Sequence, residues 1–190
     1  MPFALDEFVL DIPAIIEQRR PVLDQVAGFD PRDLPRLTTA LYDRLDELAA
    51  GIDDATVVLV PADPQADPAE GAPWTFGHVI VHLTAGLEEN AALGNTLARG
   101  AQVTGRPRYE TPWEEVATAG QVWQRLAESR RMTLALLDGW PDAPHAGNVH
   151  EHAYFGPANA VAYHLLGIAH AQDHLGQLAE IRRQAGLVAA

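Results

Sequence analysis

Residues 162–182 read AYHLLGIAHAQDHLGQLAEIR, and this stretch decides the fold because it predicts one long, mostly apolar helix. The helix carries His170 and His174 at a spacing of four residues. At that spacing two side chains lie one turn apart on the same helical face, with Cβ atoms roughly 5–6 Å apart. Two imidazoles in this arrangement can both reach a metal ion at about 2.0–2.1 Å.

A third ligand has to come from another part of the chain, and the best candidate is His82, in WTFGHVIVHL (residues 74–83). His78 lies one turn before His82, and three roles are compatible with this position. His78 is a candidate fourth ligand, a candidate hydrogen-bond donor to a ligand, or a histidine at the helix entrance in contact with water. We favour the last of these interpretations. Glu89 follows His82 by two turns on the same face. It is a candidate base or water-orienting carboxylate, although we favour a solvated surface glutamate.

The histidine pair also has a simple explanation, since two histidines four residues apart are frequently no more than surface composition. Against this, the side chains around the pair are apolar: Leu165, Leu166, Ile168, Ala169, Ala171 and Leu175. Buried imidazoles need partners, and a shared metal ion supplies one. Asp173 and Gln177 adjoin His174 and are candidates for orienting the ligands.

The remaining histidines are expected to lie outside the site. His164 is six residues before His170, about 600° around the helix, so its side chain points well away from the histidine pair. We therefore expect His164 to be a polar residue at the rim. His150 and His152 alternate and would share a face on an extended strand. Because turn residues flank them, we favour solvated histidines in a loop covering residues 140–155.

Composition restricts the class of protein. The net charge is −13 and the basic residues form no stripe, which argues against nucleic acid as a partner. No apolar run reaches the 18 or more residues of a membrane helix, and the N-terminus has no basic segment, so we expect a cytoplasmic protein without a membrane partner. Cysteine is absent, so any metal site must use histidine, carboxylate or water.

Helical periodicity and caps predict an all-α protein built as a four-helix bundle. We expect one domain over residues 1–190, in which residues 1–30 form an N-terminal helical extension. A short apolar run at Val57–Val60 is compatible with a strand, and the connection over residues 100–111 is long enough to run the length of a bundle. The four principal helices are expected from Pro31 to Ala50, from Thr75 to Arg99, from a capping box at Thr111–Glu114 to Gly139, and from Gly156-Pro157 onward.

Two motifs show that the chain resembles the DinB-like (DinB/YfiT-type) metalloprotein superfamily. One is Trp74-Thr75 followed by HVIVHL, where the family has a helix that starts at tryptophan and ends in His-Leu. The other is HAQDHLGQL (residues 170–178), which matches a family pattern His-x-x-x-His-x-Gly-Gln. The resemblance covers roughly residues 31–186. Leu175 departs from it, because many members have arginine or another polar residue there.

The resemblance implies an up-down-down-up bundle that binds a divalent metal ion, zinc or nickel, through His82, His170 and His174, with water completing the shell. It also implies a metal-dependent enzyme, either a thiol S-transferase or a hydrolase. Characterised relatives include transferases that use bacillithiol or mycothiol and a mycothiol-dependent maleylpyruvate isomerase. We therefore expect a small-molecule substrate, with a low-molecular-weight thiol as a candidate, and a homodimer. The alternative is a non-catalytic bundle that binds a metal ion or a small molecule.

Overall fold

The computed structural model describes residue 5, residues 8–62 and residues 74–187. Within these ranges the chain is mostly helical, with a single pair of antiparallel strands. Single turns of 3-10 helix precede α3 at Pro31–Asp33 and α6 at Trp113–Glu115. The elements are α1 (Ile12–Ile16), α2 (Val22–Val26), α3 (Leu34–Ala49), α4 (Asp54–Val57), α5 (Phe76–Ala98), α6 (Ala119–Asp138), β1 (Val149–His152), β2 (Gly156–Asn159) and α7 (Ala160–Gln184).

Helices α3, α5, α6 and α7 form the four-helix bundle, in which α5 and α3 each pack against both α6 and α7. Side-chain contacts give the directions: α5 is antiparallel to α7 and parallel to α6, and α3 is parallel to α7. The up-down-down-up order is therefore confirmed. The defining contacts are Gly86–His170 and Gly94–Ala160 for α5 and α7, Thr84–Arg125 and Asn95–Leu136 for α5 and α6, and Thr38–His164 and Leu48–Arg182 for α3 and α7.

Three of the four bundle helices, α5, α6 and α7, begin at polar side chains that cap the backbone. Thr75 Oγ1 accepts a hydrogen bond from the His78 amide at 3.2 Å at the start of α5, as expected for a helix over residues 75–99. The capping box expected at Thr111 lies instead at Thr118, whose hydroxyl accepts from Gln121 N while the Gln121 side chain accepts from Thr118 N. The Thr111-Pro112 pair leads only into the 3-10 turn, because regular α6 hydrogen bonding begins at residue 119.

Two further predictions of secondary structure are wrong. The Val57–Val60 run is not a strand: Asp53 accepts from the Thr56 amide at 2.8 Å and starts the short helix α4. Gly156-Pro157 does not begin the last helix, because both residues belong to β2, which pairs with β1. Helix α7 begins after Asn159, whose side chain accepts from Ala162 N at 3.0 Å.

Glycines allow α5 and α7 to approach closely. A Cβ atom built on Gly167 would lie 2.8 Å from Asn90 Cβ, and one on Gly94 would lie 3.0 Å from the Ala160 carbonyl oxygen. A methyl group at either position would force the helices apart, since interiors are close-packed. This close approach brings facing side chains of the two helices together.

Buried polar side chains join α3 to the rest of the bundle. Tyr42 is fully buried, and its hydroxyl lies 2.8 Å from Ser129 Oγ and 3.0 Å from Thr133 Oγ1 of α6. His164 of α7 is 2% exposed, and its Nε2 lies 2.8 Å from Thr38 Oγ1. The prediction that His164 is a rim residue is therefore wrong, since the face turned away from His170 packs against α3.

The N-terminal extension is present as α1 and α2 and is tied to α7. The Gln172 side-chain amide donates to the carbonyl oxygens of Leu5 and Phe8, at 3.0 and 3.1 Å. In the part of the chain that the structure describes, no helix combines the length and apolar character needed to cross a bilayer.

Candidate metal centre

Three histidine rings from α5 and α7 converge, and we call His82, His170 and His174 the three-histidine cluster. His170 Nε2 lies 3.1 Å from His82 Nε2 and 3.2 Å from His174 Nε2. One ring nitrogen from each residue lies within 4.8 Å of the others, and all three residues are partly buried. The four-residue spacing places His170 and His174 on one face of α7. The antiparallel packing of α5 on α7 then brings His82 opposite these two residues.

The separations suit a single metal ion. At nitrogen–metal distances of about 2.0–2.1 Å, two ligand nitrogens lie about 3.3 Å apart around a tetrahedral ion and about 2.9 Å apart around an octahedral one. The two observed Nε2 separations of 3.1 and 3.2 Å fall between these values. An unprotonated Nε2 directs a lone pair at its partners, so three inward nitrogens attract a cation.

Gln177 defines the tautomer of one histidine. His174 Nδ1 lies 2.8 Å from Gln177 Oε1. Since the amide oxygen only accepts, Nδ1 carries the proton and Nε2 of neutral His174 is free to bind a metal ion. Of the two residues expected to orient the ligands, Gln177 is in place, whereas Asp173 is exposed.

Burial keeps His82 and His170 neutral. Desolvation, followed by repulsion from the other two histidines and from Arg108, lowers the pKa of His82 to about 3. Desolvation, with His174 and Arg108 as further causes, lowers the pKa of His170 to about 4. Both imidazoles are therefore unprotonated near pH 7, which is the state required of a metal ligand.

An aromatic stack forms one wall of the cluster. Trp74 stacks on His174 with ring centroids 5.8 Å apart and on His78 at 4.7 Å, and His78 stacks in turn on Trp113 at 5.0 Å. Trp74 also meets His82 edge-on at 4.9 Å. His78 is 7% exposed, so the interpretation of it as a histidine in contact with water is wrong. Among the described residues the converging group has three members, and His78 is not one of them.

Two arginines neutralise Glu89, which is 7% exposed and therefore not the solvated glutamate that we favoured. Arg106 Nε donates to Glu89 Oε1 at 2.6 Å, and Arg108 Nη1 lies 3.4 Å from Glu89 Oε2. Arg108 also donates to the His82 carbonyl oxygen at 3.4 Å and to Glu110 Oε2 at 2.9 Å. These contacts fasten the connection between α5 and α6 to the helix that carries His82. Sequence analysis did not identify either arginine as part of these surroundings.

His150 and His152 lie on strand β1, where they face Tyr163 of α7 with ring centroids 6.2 and 5.6 Å apart. His152 also stacks on Phe155 at 4.6 Å, and burial lowers its pKa. Our preferred prediction of solvated loop histidines is wrong, because their alternation does place both on one face of a strand. Neither belongs to the converging group.

Comparison with known proteins gives one positive result. The family model described as the DinB superfamily matches residues 37–178, which is well over half of the chain and includes the whole three-histidine cluster. Among curated proteins no match was found, and none was found among solved structures. The family match extends from α3 into α7, the four helices of the bundle, and the chain therefore belongs to the DinB superfamily.

Proposed function

We propose that this protein is a divalent-metal-dependent enzyme in which His82, His170 and His174 are the ligands. The observation that carries the proposal is the convergence of three Nε2 atoms, with separations of 3.1 and 3.2 Å from His170 to its two neighbours. Membership of the DinB superfamily, a family of metal-binding proteins, supports it independently.

Zinc or nickel is the metal that we propose, since imidazole nitrogen suits both ions. Structural zinc sites are usually closed by four protein ligands, whereas catalytic sites have three and leave a position for water or substrate. Three converging histidines correspond to the second arrangement. When bound, such an ion supplies a Lewis acid that lowers the pKa of water or of a thiol.

The reaction class that we favour is thiol transfer to an electrophilic small molecule. The chain has no cysteine, so the sulfur must come from a low-molecular-weight thiol as cosubstrate. The sulfur forms a bond to the electrophilic carbon, while the thiol proton passes to solvent and the leaving group departs with the bonding electron pair. Hydrolysis by water is the second reaction that the same arrangement supports.

The charges around the cluster allow an anionic thiol to approach, although the whole chain has a net charge of −13. Arg106 and Arg108 balance Glu89 and Glu110 beside His82, so the immediate surroundings are close to neutral. The Arg106 side chain is 71% exposed, so its charge is accessible from solvent. Trp74 supplies an apolar surface next to the same nitrogens.

The test is conjugation of a generic electrophile with bacillithiol, mycothiol or glutathione, comparing metal-loaded wild type, metal-free wild type and His174→Ala. We expect turnover above the uncatalysed rate with at least one thiol, only in the metal-loaded wild type. If every thiol reacts at the uncatalysed rate while the metal is bound, thiol transfer is wrong and hydrolysis of activated esters becomes the next assay.

A non-catalytic binding bundle is the alternative, and one observation favours it. A cavity of about 550 Å³ lies between the C-terminal parts of α3 and α7, a volume within the range of ligand pockets. Its rim carries the ion pairs Arg44–Glu47 and Arg183–Glu180. None of the three histidines lines it. A small molecule that binds there equally well in the presence and absence of metal, without turnover, would support this alternative.

The expectation that the protein forms a homodimer stays a prediction.

A further inference from the structure

We propose that Glu110, on the connection between α5 and α6, is a positioning residue that accepts a hydrogen bond from His82 Nδ1 and fixes this histidine for metal binding. This inference rests on the proposed function, because it assigns a role toward the ion that the three histidines hold. It adds to the centre a residue that belongs to none of the four bundle helices.

The geometry points to this role. Glu110 Oε1 lies 3.8 Å from His82 Nδ1, on the side of the ring opposite Nε2, which faces His170. A shift of about 1 Å brings the pair to hydrogen-bond distance. A ring that ligates through Nε2 carries its proton on Nδ1, and this proton needs an acceptor. Glu110 Oε1 is within reach as this acceptor, and the Glu110 side chain is 36% exposed.

Arg108 holds the carboxylate in the required orientation. Its Nε and Nη2 both donate to Glu110 Oε2, at 3.0 and 2.9 Å, which leaves Oε1 turned toward His82. The same guanidinium reaches the His82 carbonyl oxygen and Glu89, both at 3.4 Å, so it is anchored on α5. Its side chain is 15% exposed, and this burial limits its alternative rotamers.

The outer partners of two ligands therefore differ in charge. His174 donates to the neutral Gln177, whereas His82 faces the anionic Glu110. A carboxylate makes its imidazole more basic and a stronger ligand than an amide does, and loss of such a partner typically weakens metal affinity by about 10–100-fold. His82, which comes from a different helix than the other two ligands, has the stronger partner.

The experiment compares wild type with Glu110→Gln and with the matched control Glu115→Gln. Glu115 is an exposed glutamate on the same connection, so both variants lose one negative charge. Zinc affinity is measured by competition with a chromophoric chelator, and the visible spectrum of the cobalt-loaded protein reports the ligand field. We expect about 10–100-fold weaker zinc binding and a shifted cobalt spectrum for Glu110→Gln, with Glu115→Gln like wild type and all three metal-free proteins melting at the same temperature.

Zinc affinity of Glu110→Gln within twofold of that of Glu115→Gln would overturn the inference while leaving the three-histidine centre intact. Weaker binding together with a lowered melting temperature of the metal-free variant would assign Glu110 a purely structural role and would also overturn it. Wild-type protein that takes up no metal would overturn the proposed function itself, and this inference with it.

Discussion

Acidification should destabilise the metal-free fold through His164. This imidazole is 2% exposed, its Nε2 contacts Thr38 Oγ1, and its Nδ1 is buried without a hydrogen-bond partner in the part of the chain that the structure describes. Protonation of both ring nitrogens would place a charge in an apolar interior, and desolvation accordingly lowers the pKa of His164 to about 4.

The magnitude follows from proton linkage. The unfolded histidine has a pKa of about 6.5, so below that pH the unfolded chain binds a proton that the folded chain does not. The stabilising contribution of neutral His164 is therefore complete above pH 6.5 and is lost as the pH falls toward 4. With these two pKa values, the loss between pH 7 and pH 5 is about 2 kcal/mol.

The assay is urea unfolding at pH 7 and pH 5, with a chelator present, for wild type and His164→Gln. Glutamine does not titrate, and all other groups are common to both proteins, so their effects cancel in the difference. We expect the free energy of unfolding of the variant to fall by about 2 kcal/mol less than that of wild type. An equal fall in both proteins would refute the assignment of His164 as a buried, neutral histidine.

Three other predictions concern the cluster and the core. Gly86→Ala places a Cβ atom 3.2 Å from His170 Nδ1 and should weaken metal affinity without unfolding the protein, as chelator competition and circular dichroism can check. Tyr42→Phe removes a buried hydroxyl that contacts two hydroxyls of α6, and should lower the free energy of unfolding in urea by about 1–3 kcal/mol. Bound metal should be lost on acidification, because a protonated imidazole cannot bind a metal ion; equilibrium dialysis over a pH series measures this, and metal content independent of pH would contradict histidine ligation.

The bundle and the convergence of the cluster could be predicted because both depend on helical periodicity. The four-residue spacing fixes His170 and His174 on one face of α7 whatever the surroundings. The position of His82 is harder to predict, since its place opposite this pair depends on how α5 packs on α7. The family resemblance supplied that pairing, and glycines such as Gly86 and Gly167 allow it.

The surroundings of the cluster could not be predicted in the same way. Glu89 is paired with Arg106 and Arg108, which lie 17 and 19 residues further along the chain on an irregular connection. The periodicity of a helix or strand cannot predict contacts made by an irregular connection. His78 is buried by stacking on two indoles, and hydrophobic patterns that count histidine as polar do not detect stacking. The alternation of His150 and His152 did indicate a strand, but the flanking turn residues favoured a loop.

The most direct test of the central claim is the metal content of purified protein after equilibration with zinc or nickel and removal of excess ion. The comparison includes wild type, His82→Ala, His170→Ala and His174→Ala, with His145→Ala as a control because His145 is an exposed histidine outside the cluster. We expect about one divalent ion per chain in wild type and in the control, and most of it lost in each of the three cluster variants, because two imidazoles compete poorly with water and buffer. Equal metal content in all five proteins, or none in wild type, would contradict the three-histidine centre.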